Sequence, residues 1–159
     1  HGTTEGYVDW AGAFYDVGKA VGIEAIVKIP LVEKAIRATP AVQALGGQIL
    51  MTACYDAKQM ITAKSLKTEF IAPYYGRMIE AGIDAEAHLA AMYAMNRNGG
   101  PECRVLVASL RSTDQMVSLA QLGHDCFTIS PTVARGMLNN NHSAKAFEEF
   151  ENASSGSSE

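Results

Sequence analysis

The chain has 159 residues, 48% of them hydrophobic, which is enough for one domain with a real core and too few for a second independent one. Its net charge of -4 and its 13 scattered lysines and arginines leave no basic face for nucleic acid, and no apolar run approaches the roughly 20 residues that span a bilayer, so a soluble protein is expected. Cys54, Cys103 and Cys126 are odd in number and far apart, which fits reduced thiols better than a disulfide framework, and His88, His124 and His142 share no metal-ligand spacing with them.

Val8, Ala11, Phe14, Tyr15, Val17, Ala20 and Val21 share one broad apolar face, which predicts a helix over 7–20 stopped at Gly22. A strand follows over 24–29. Helical spacing returns over 31–45, where Pro40 should kink or divide the helix and Gly46-Gly47 should close it. The apolar run 49–54 reads as a buried strand, 56–66 as a helix with Asp56 and Gln59 in its first turn, and 70–73 as the next strand. Asp84 caps a helix to residue 95, and 104–108 is the fourth strand. Thr113-Asp114 opens a helix through Leu122, 126–129 is the fifth strand, and 131–138 and 144–151 are short helices. The Ser- and Gly-rich segment 153–159 is expected to be a disordered tail, leaving 1–152 as part of a single domain.

Apolar strands alternating with helices specify a parallel α/β sheet. An open doubly wound sheet and a closed β/α barrel compete for this pattern. No Gly-rich phosphate turn follows a strand, since Gly46-Gly47 precedes one, and this favours the barrel.

Lys28 is the one charged residue in Ala25-Ile26-Val27-Lys28-Ile29-Pro30 and the strongest chemical signal in the sequence. Burying an unpaired ammonium costs several kcal/mol unless its pKa falls or a partner compensates, so such a lysine is commonly kept as a nucleophile. The plainer alternative is a strand-end lysine whose stem lies on apolar surface while its head reaches water. Alternation puts Ile26 and Lys28 on one inward face, where partial desolvation would favour the neutral amine. In a barrel the working groups gather at the C-terminal strand ends, which here hold Lys28, Thr52, Tyr55, Tyr74, Arg77, Ser109, Arg111 and Ser130. Such a set suits a carbonyl substrate with an anionic group. Lys28 would attack a ketone to form an imine, Tyr74 would move a proton, and Arg77 with Ser109 would hold a phosphate. Each has a simpler reading: Tyr74 or Tyr75 packed on a helix, Arg77 paired with Glu80, and Ser109 and Ser130 as helix caps.

The segments Ile26-Val27-Lys28-Ile29-Pro30, Thr52-Ala53-Cys54-Tyr55-Asp56-Ala57-Lys58-Gln59, Phe70-Ile71-Ala72-Pro73-Tyr74-Tyr75-Gly76-Arg77-Met78 and Val105-Leu106-Val107-Ala108-Ser109-Leu110-Arg111-Ser112 resemble the transaldolase family, in its small-subunit transaldolase and fructose-6-phosphate aldolase branch. Thr128-Ile129-Ser130-Pro131-Thr132-Val133-Ala134 resembles the family's last strand and loop. The resemblance implies a (β/α)8 TIM barrel in which Lys28 forms a Schiff base with a ketose phosphate. A dihydroxyacetone unit then passes to an aldehyde phosphate or is released, as in carbohydrate metabolism of the pentose phosphate type, with no metal or organic cofactor. Tyr74 falls on the family's acid/base-associated tyrosine, Arg77 and Ser109 on its phosphate-binding positions, and Arg111 near that phosphate, while Thr52 is a substrate-binding candidate by its place at a strand end. Segment 143–151 resembles a terminal helix that packs on a neighbouring subunit in ring-shaped homo-oligomers; the location expected from the reduced thiols is cytoplasmic or organelle stroma.

By the same resemblance Lys28 lies on the fourth strand, so this sequence supplies about strands 4–8. The first-strand aspartate and second-strand asparagine of the family have no counterpart in it. A five-stranded parallel remnant would expose two unpaired edges. The expectation is therefore a C-terminal portion of a longer barrel polypeptide, inactive by itself; the alternative is a non-catalytic structural or interaction subunit derived from a truncated transaldolase.

Overall fold

Helix α1 (Thr4–Ala20) starts where the Thr3 hydroxyl accepts from the Gly6 amide, and the chain leaves it through Gly22 at φ +70°, a left-handed turn that favours glycine. The computed structural model describes residues 2–98 and 103–156. Strand β1 (Ile26–Pro30) follows, and then Pro40 divides the helical stretch as expected. Its missing N–H and its ring cannot continue the preceding turn, so α2 (Glu33–Ile36) ends and α3 (Thr39–Gln43) begins with the proline in its first turn.

Strand β2 (Gln48–Cys54), helix α4 (Lys58–Ser65), strand β3 (Phe70–Pro73) and helix α5 (Tyr75–Glu80) come next. Helix α6 (Ala85–Arg97) is capped by the Asp84 carboxylate, which accepts from the Ala87 amide at 3.1 Å. The chain continues through β4 (Arg104–Val105), α7 (Thr113–Gln121), α8 (Pro131–Leu138) and α9 (Asn141–Ser155). The predicted fifth strand is reduced to one parallel bridge, Val107 with Phe127. Val107 still donates to Cys126 and accepts from Thr128, both at 2.9 Å, so that segment lies beside β4. The expected tail is also corrected: α9 runs through Ser155, with the Ser154 and Ser155 hydroxyls donating back to the Glu151 carbonyl. Residues 157–159 of that expectation lie outside the described residues.

All strand pairs are parallel and the spatial order β1-β2-β3-β4 repeats the chain order. One sheet face carries Val27, Ile29, Ile49, Met51, Ile71, Val105 and Val107, packed with helix residues such as Ala11, Ala35, Met60, Met78, Leu89 and Leu119. The other face carries Leu50, Ala72 and Ala108 with Phe70, Tyr74 and Leu106, and that cluster contains no helix residue. A doubly wound sheet would place helices on both faces and reverse its strand order at a switch point. Sequential parallel strands with helices on one side make a barrel-like arc instead, which leaves the inner face of the sheet open. No helix among the described residues is long and apolar enough to cross a membrane.

Cys54 and Cys103 are buried free thiols in this core. Burial pushes Cys54 up to about 12 and Cys103 up to about 11, from an ordinary 9.0. Their folded values exceed the unfolded one, so the stability they support is whole below pH 9 and is lost as pH rises through the folded values. The urea midpoint should therefore fall as pH rises from 8 to 10, and a Cys54→Ala, Cys103→Ala double variant should lose most of that slope.

Candidate active site

The β1 burial pattern alternates, with Val27 and Ile29 buried and Ile26 and Lys28 exposed, so Lys28 stands on the expected inner face. Lys28 is in register with Leu50, and Pro30 with Thr52, which places Thr52 on the same face one pleat nearer the C-terminal rim. The partial desolvation expected for Lys28 is not found. Its side chain is exposed because helices pack on the opposite face of β1.

At the ends of β2 and β3 the side chains do converge. The Thr52 and Tyr74 hydroxyls are 2.8 Å apart and either can donate. Tyr55 meets the Tyr74 ring edge-on, with centroids 5.6 Å apart, and the Arg77 guanidinium carbon lies 4.9 Å from the centre of the Tyr74 ring. Two backbone features fix this arrangement. Ala53 adopts φ +54° where the β2–β3 register shifts between Met51 and Cys54, and the Tyr74 amide donates to the Cys54 carbonyl at 2.9 Å. Tyr74 then serves as the N-cap residue of α5, so Arg77 follows one turn later on the same helix.

Ser109 and Arg111 reach α5 from the other side. The Tyr75 amide donates to Ala108 at 3.0 Å and the Gly76 amide to the Ser109 carbonyl at 3.1 Å, with Ser109 itself left-handed at φ +66°. Gly76 is required here, since a Cβ would collide with that carbonyl and press on the Arg111 side chain. Arg111 forms a two-pronged pair with Glu80, Nε to Oε1 at 2.8 Å and Nη2 to Oε2 at 3.2 Å, and its hydrogen bonding holds the Glu80 carboxyl below its ordinary value.

Thr52, Tyr74 and Arg77 are therefore in direct contact, Ser109 and Arg111 join them through Gly76, and Lys28 shares their sheet face two strands from Tyr74. The simpler readings divide. Ser130 does cap a helix, accepting from Val133 at 3.3 Å, and Tyr75 is buried with its hydroxyl 3.3 Å from Glu86. Ser109 caps no helix, because Ser112 holds that position for α7, and Glu80 is paired with Arg111 rather than Arg77. Sequence reasoning missed Gly76, whose only signal was a glycine directly after a strand-end Tyr-Tyr pair, and the Arg111–Glu80 pair, which spans 31 positions and has no local signal. Among the described residues no three His, Cys, Asp or Glu side chains are grouped so as to hold a metal ion.

A phenol bonded to a hydroxyl, a guanidinium with no carboxylate pair among the described residues, and an amine on the same face can bind an anionic carbonyl compound and shuttle its protons. The family model described as "Transaldolase/Fructose-6-phosphate aldolase" matches residues 2–158. A protein described as "Probable transaldolase" from Maricaulis maris is 29% identical over 143 residues, covering 88% of this chain and 66% of that protein. Proteins of the same description from Paracoccus denitrificans and Jannaschia sp. are each 30% identical over 124 residues, covering 78% of this chain and 57% of theirs. The chain thus spans between 57% and 66% of the length of these relatives.

Proposed function

Since this chain belongs to the transaldolase/fructose-6-phosphate aldolase family, we propose that it carries about strands 4–8 of a (β/α)8 barrel, of the small-subunit branch, whose C-terminal rim forms a Schiff base with a ketose phosphate at Lys28. The observation that carries this reading is the Thr52–Tyr74–Arg77 contact group, set on the same face of the sheet as Lys28 and at its C-terminal edge.

In this reading the Lys28 amine adds to the ketone carbon and water leaves, giving an iminium. The bond between the third and fourth carbons then breaks, its electron pair moves toward the iminium nitrogen, and the fourth-carbon hydroxyl gives up its proton. Tyr74, bonded to Thr52, is the group placed to pass protons in these steps. Arg77, Ser109 and Arg111 hold the phosphate. The dihydroxyacetone unit left on Lys28 adds to an aldehyde phosphate or is released by hydrolysis, without a metal or organic cofactor. In a complete barrel the preceding units would close over Lys28 and supply the desolvation that its exposure here does not. Phe147 and Phe150, 63% and 71% exposed on α9, would pack on a neighbouring subunit of a homo-oligomer.

Borohydride reduction in the presence of saturating ketose phosphate, followed by peptide mass analysis, tests the proposal: the adduct is expected on Lys28, and an unmodified Lys28 removes it. Arg77→Ala should raise KM for phosphorylated substrates by about tenfold or more with a smaller change in kcat. An unchanged KM would assign the phosphate elsewhere. The exposure of Lys28 also favours a second reading, a non-catalytic subunit that keeps these motifs. A stable complex in which Lys28 never forms an adduct would decide for it.

A further inference from the structure

The backbone amides that follow β2, from Tyr55 to Lys58, are all held by side chains. Gln59, in the first turn of α4, turns back along the chain, and its Oε1 accepts from the Tyr55 amide at 2.8 Å and the Asp56 amide at 3.1 Å. Both partners are N–H donors, so the side-chain oxygen rather than its nitrogen must face them, with both lone pairs in use. The Ala57 amide donates to His88 Nδ1 on α6 at 3.0 Å, and the Lys58 amide to Asp56 Oδ1 at 2.9 Å. Ala57, at the N-cap position of α4, offers no capping side chain, so Gln59 does the work of holding this turn from inside the helix.

What the turn carries is the Tyr55 ring, which stands edge-on to Tyr74 with centroids 5.6 Å apart. Tyr74 is thus confined by Tyr55 and by the Arg77 guanidinium at its ring, and by Thr52 at its hydroxyl. Removing the Gln59 oxygen would leave two adjacent, half-buried amides without an acceptor. The turn would have to open to water to satisfy them, and the Tyr55 ring would move with it.

We propose that Gln59 is a positioning residue for Tyr74: by fixing the Tyr55 backbone it holds the Tyr55 ring against Tyr74 and keeps the phenol on Thr52 for proton transfer. This rests on the reading of Tyr74 as the group that passes protons at the rim. A misplacement of about 1 Å in a reacting group can cost about a hundredfold in rate. Arg77, Ser109 and Arg111 are held through α5 and not through α4, so the clamp acts on turnover and leaves phosphate affinity alone.

Gln59→Leu keeps similar bulk and removes the acceptor, while Gln59→Glu keeps an oxygen with two lone pairs and puts its charge at a helix N-terminus, where an anion is favoured. In the full chain, NMR cross-relaxation between the Tyr55 and Tyr74 ring protons, assigned with Tyr55→Phe and Tyr74→Phe, should persist in Gln59→Glu and be lost in Gln59→Leu. In a barrel completed by the preceding units, Gln59→Leu should lower kcat about tenfold or more and change KM for a phosphorylated substrate less than about twofold. Gln59→Glu should restore kcat to within about threefold of the parent. Tyr55→Leu should lose as much as Gln59→Leu, and the two together no more than either alone, since both act through one ring. An undiminished ring signal or unchanged kcat in Gln59→Leu, equal changes in kcat and KM, no rescue by glutamate, or losses that multiply in the double variant would each overturn the proposal. Failure of the clamp with Lys28 still trapped by borohydride overturns this proposal alone, whereas a Lys28 that never forms an adduct removes the rim chemistry and with it the role of Gln59 in turnover.

Discussion

In a barrel completed by the preceding units, Lys28→Met should leave no borohydride-trapped adduct with a ketose phosphate and should lower turnover by on the order of a thousandfold or more. Methionine keeps the length and apolar stem of lysine and removes only the amine. The position is exposed, so folding stability should change by less than about 0.5 kcal/mol, which separates loss of chemistry from loss of structure. Other lysines provide internal controls. Lys58 is paired with Asp56 at 3.0 Å, and Lys64 donates to the Met95 carbonyl at 3.0 Å. Adduct that persists at full yield after Lys28→Met would place the imine on another amine and refute the assigned role.

Gly76→Ala is the substitution expected to cost most in structure. The new methyl would overlap the Ser109 carbonyl and press on Arg111 Cγ and Nε, at 3.2 and 3.3 Å. Relief requires α5 to move away from the β4 side, which breaks the Gly76 to Ser109 hydrogen bond. Overpacking of about 1–3 kcal/mol and a lost hydrogen bond of about 1 kcal/mol together predict about 2–4 kcal/mol of destabilisation, read from the urea midpoint. The same displacement should raise KM for phosphorylated substrates, because Ser109 and Arg111 both reach α5 through this contact. Gly12→Ala is the matched control. Its Cβ would meet only Leu45 Cδ1 at 3.9 Å, and a mid-helix glycine replaced by alanine should stabilise by about 0.5–1 kcal/mol. If Gly76→Ala proved as stable as the parent chain, the tight seam between α5 and Ser109 would be refuted.

Features with a local cause were legible in the sequence. Gly22, Asp84, Pro40 and the span Pro131–Leu138 all act through their own backbone or cap, and each appears where the pattern puts it. Helix α5 was not foreseen, because six residues beginning Tyr-Gly-Arg carry no full helical period. The fifth strand was overdrawn for the opposite reason: its apolar residues satisfy the pattern, but its backbone pairs with Val107 alone. The exposure of Lys28 matches the plainer of its two sequence readings, between which alternation could not choose, since it says which face a side chain takes and never what lies over that face. Within the site, the residues of β2 and β3 were legible as strand ends. The hold on Arg111 was not, because Glu80 comes from a helix that the pattern did not reveal.

The contact between Thr52 and Tyr74 has one further consequence. Two hydroxyls 2.8 Å apart share a single hydrogen bond, so in either orientation one O–H is left over and points elsewhere. Half a turn about two C–O bonds exchanges the roles, converting the phenol from giver to receiver toward a third molecule with no heavy atom displaced. A reversible reaction that must both load and unload a proton at one point could be served by that swivel, in either direction.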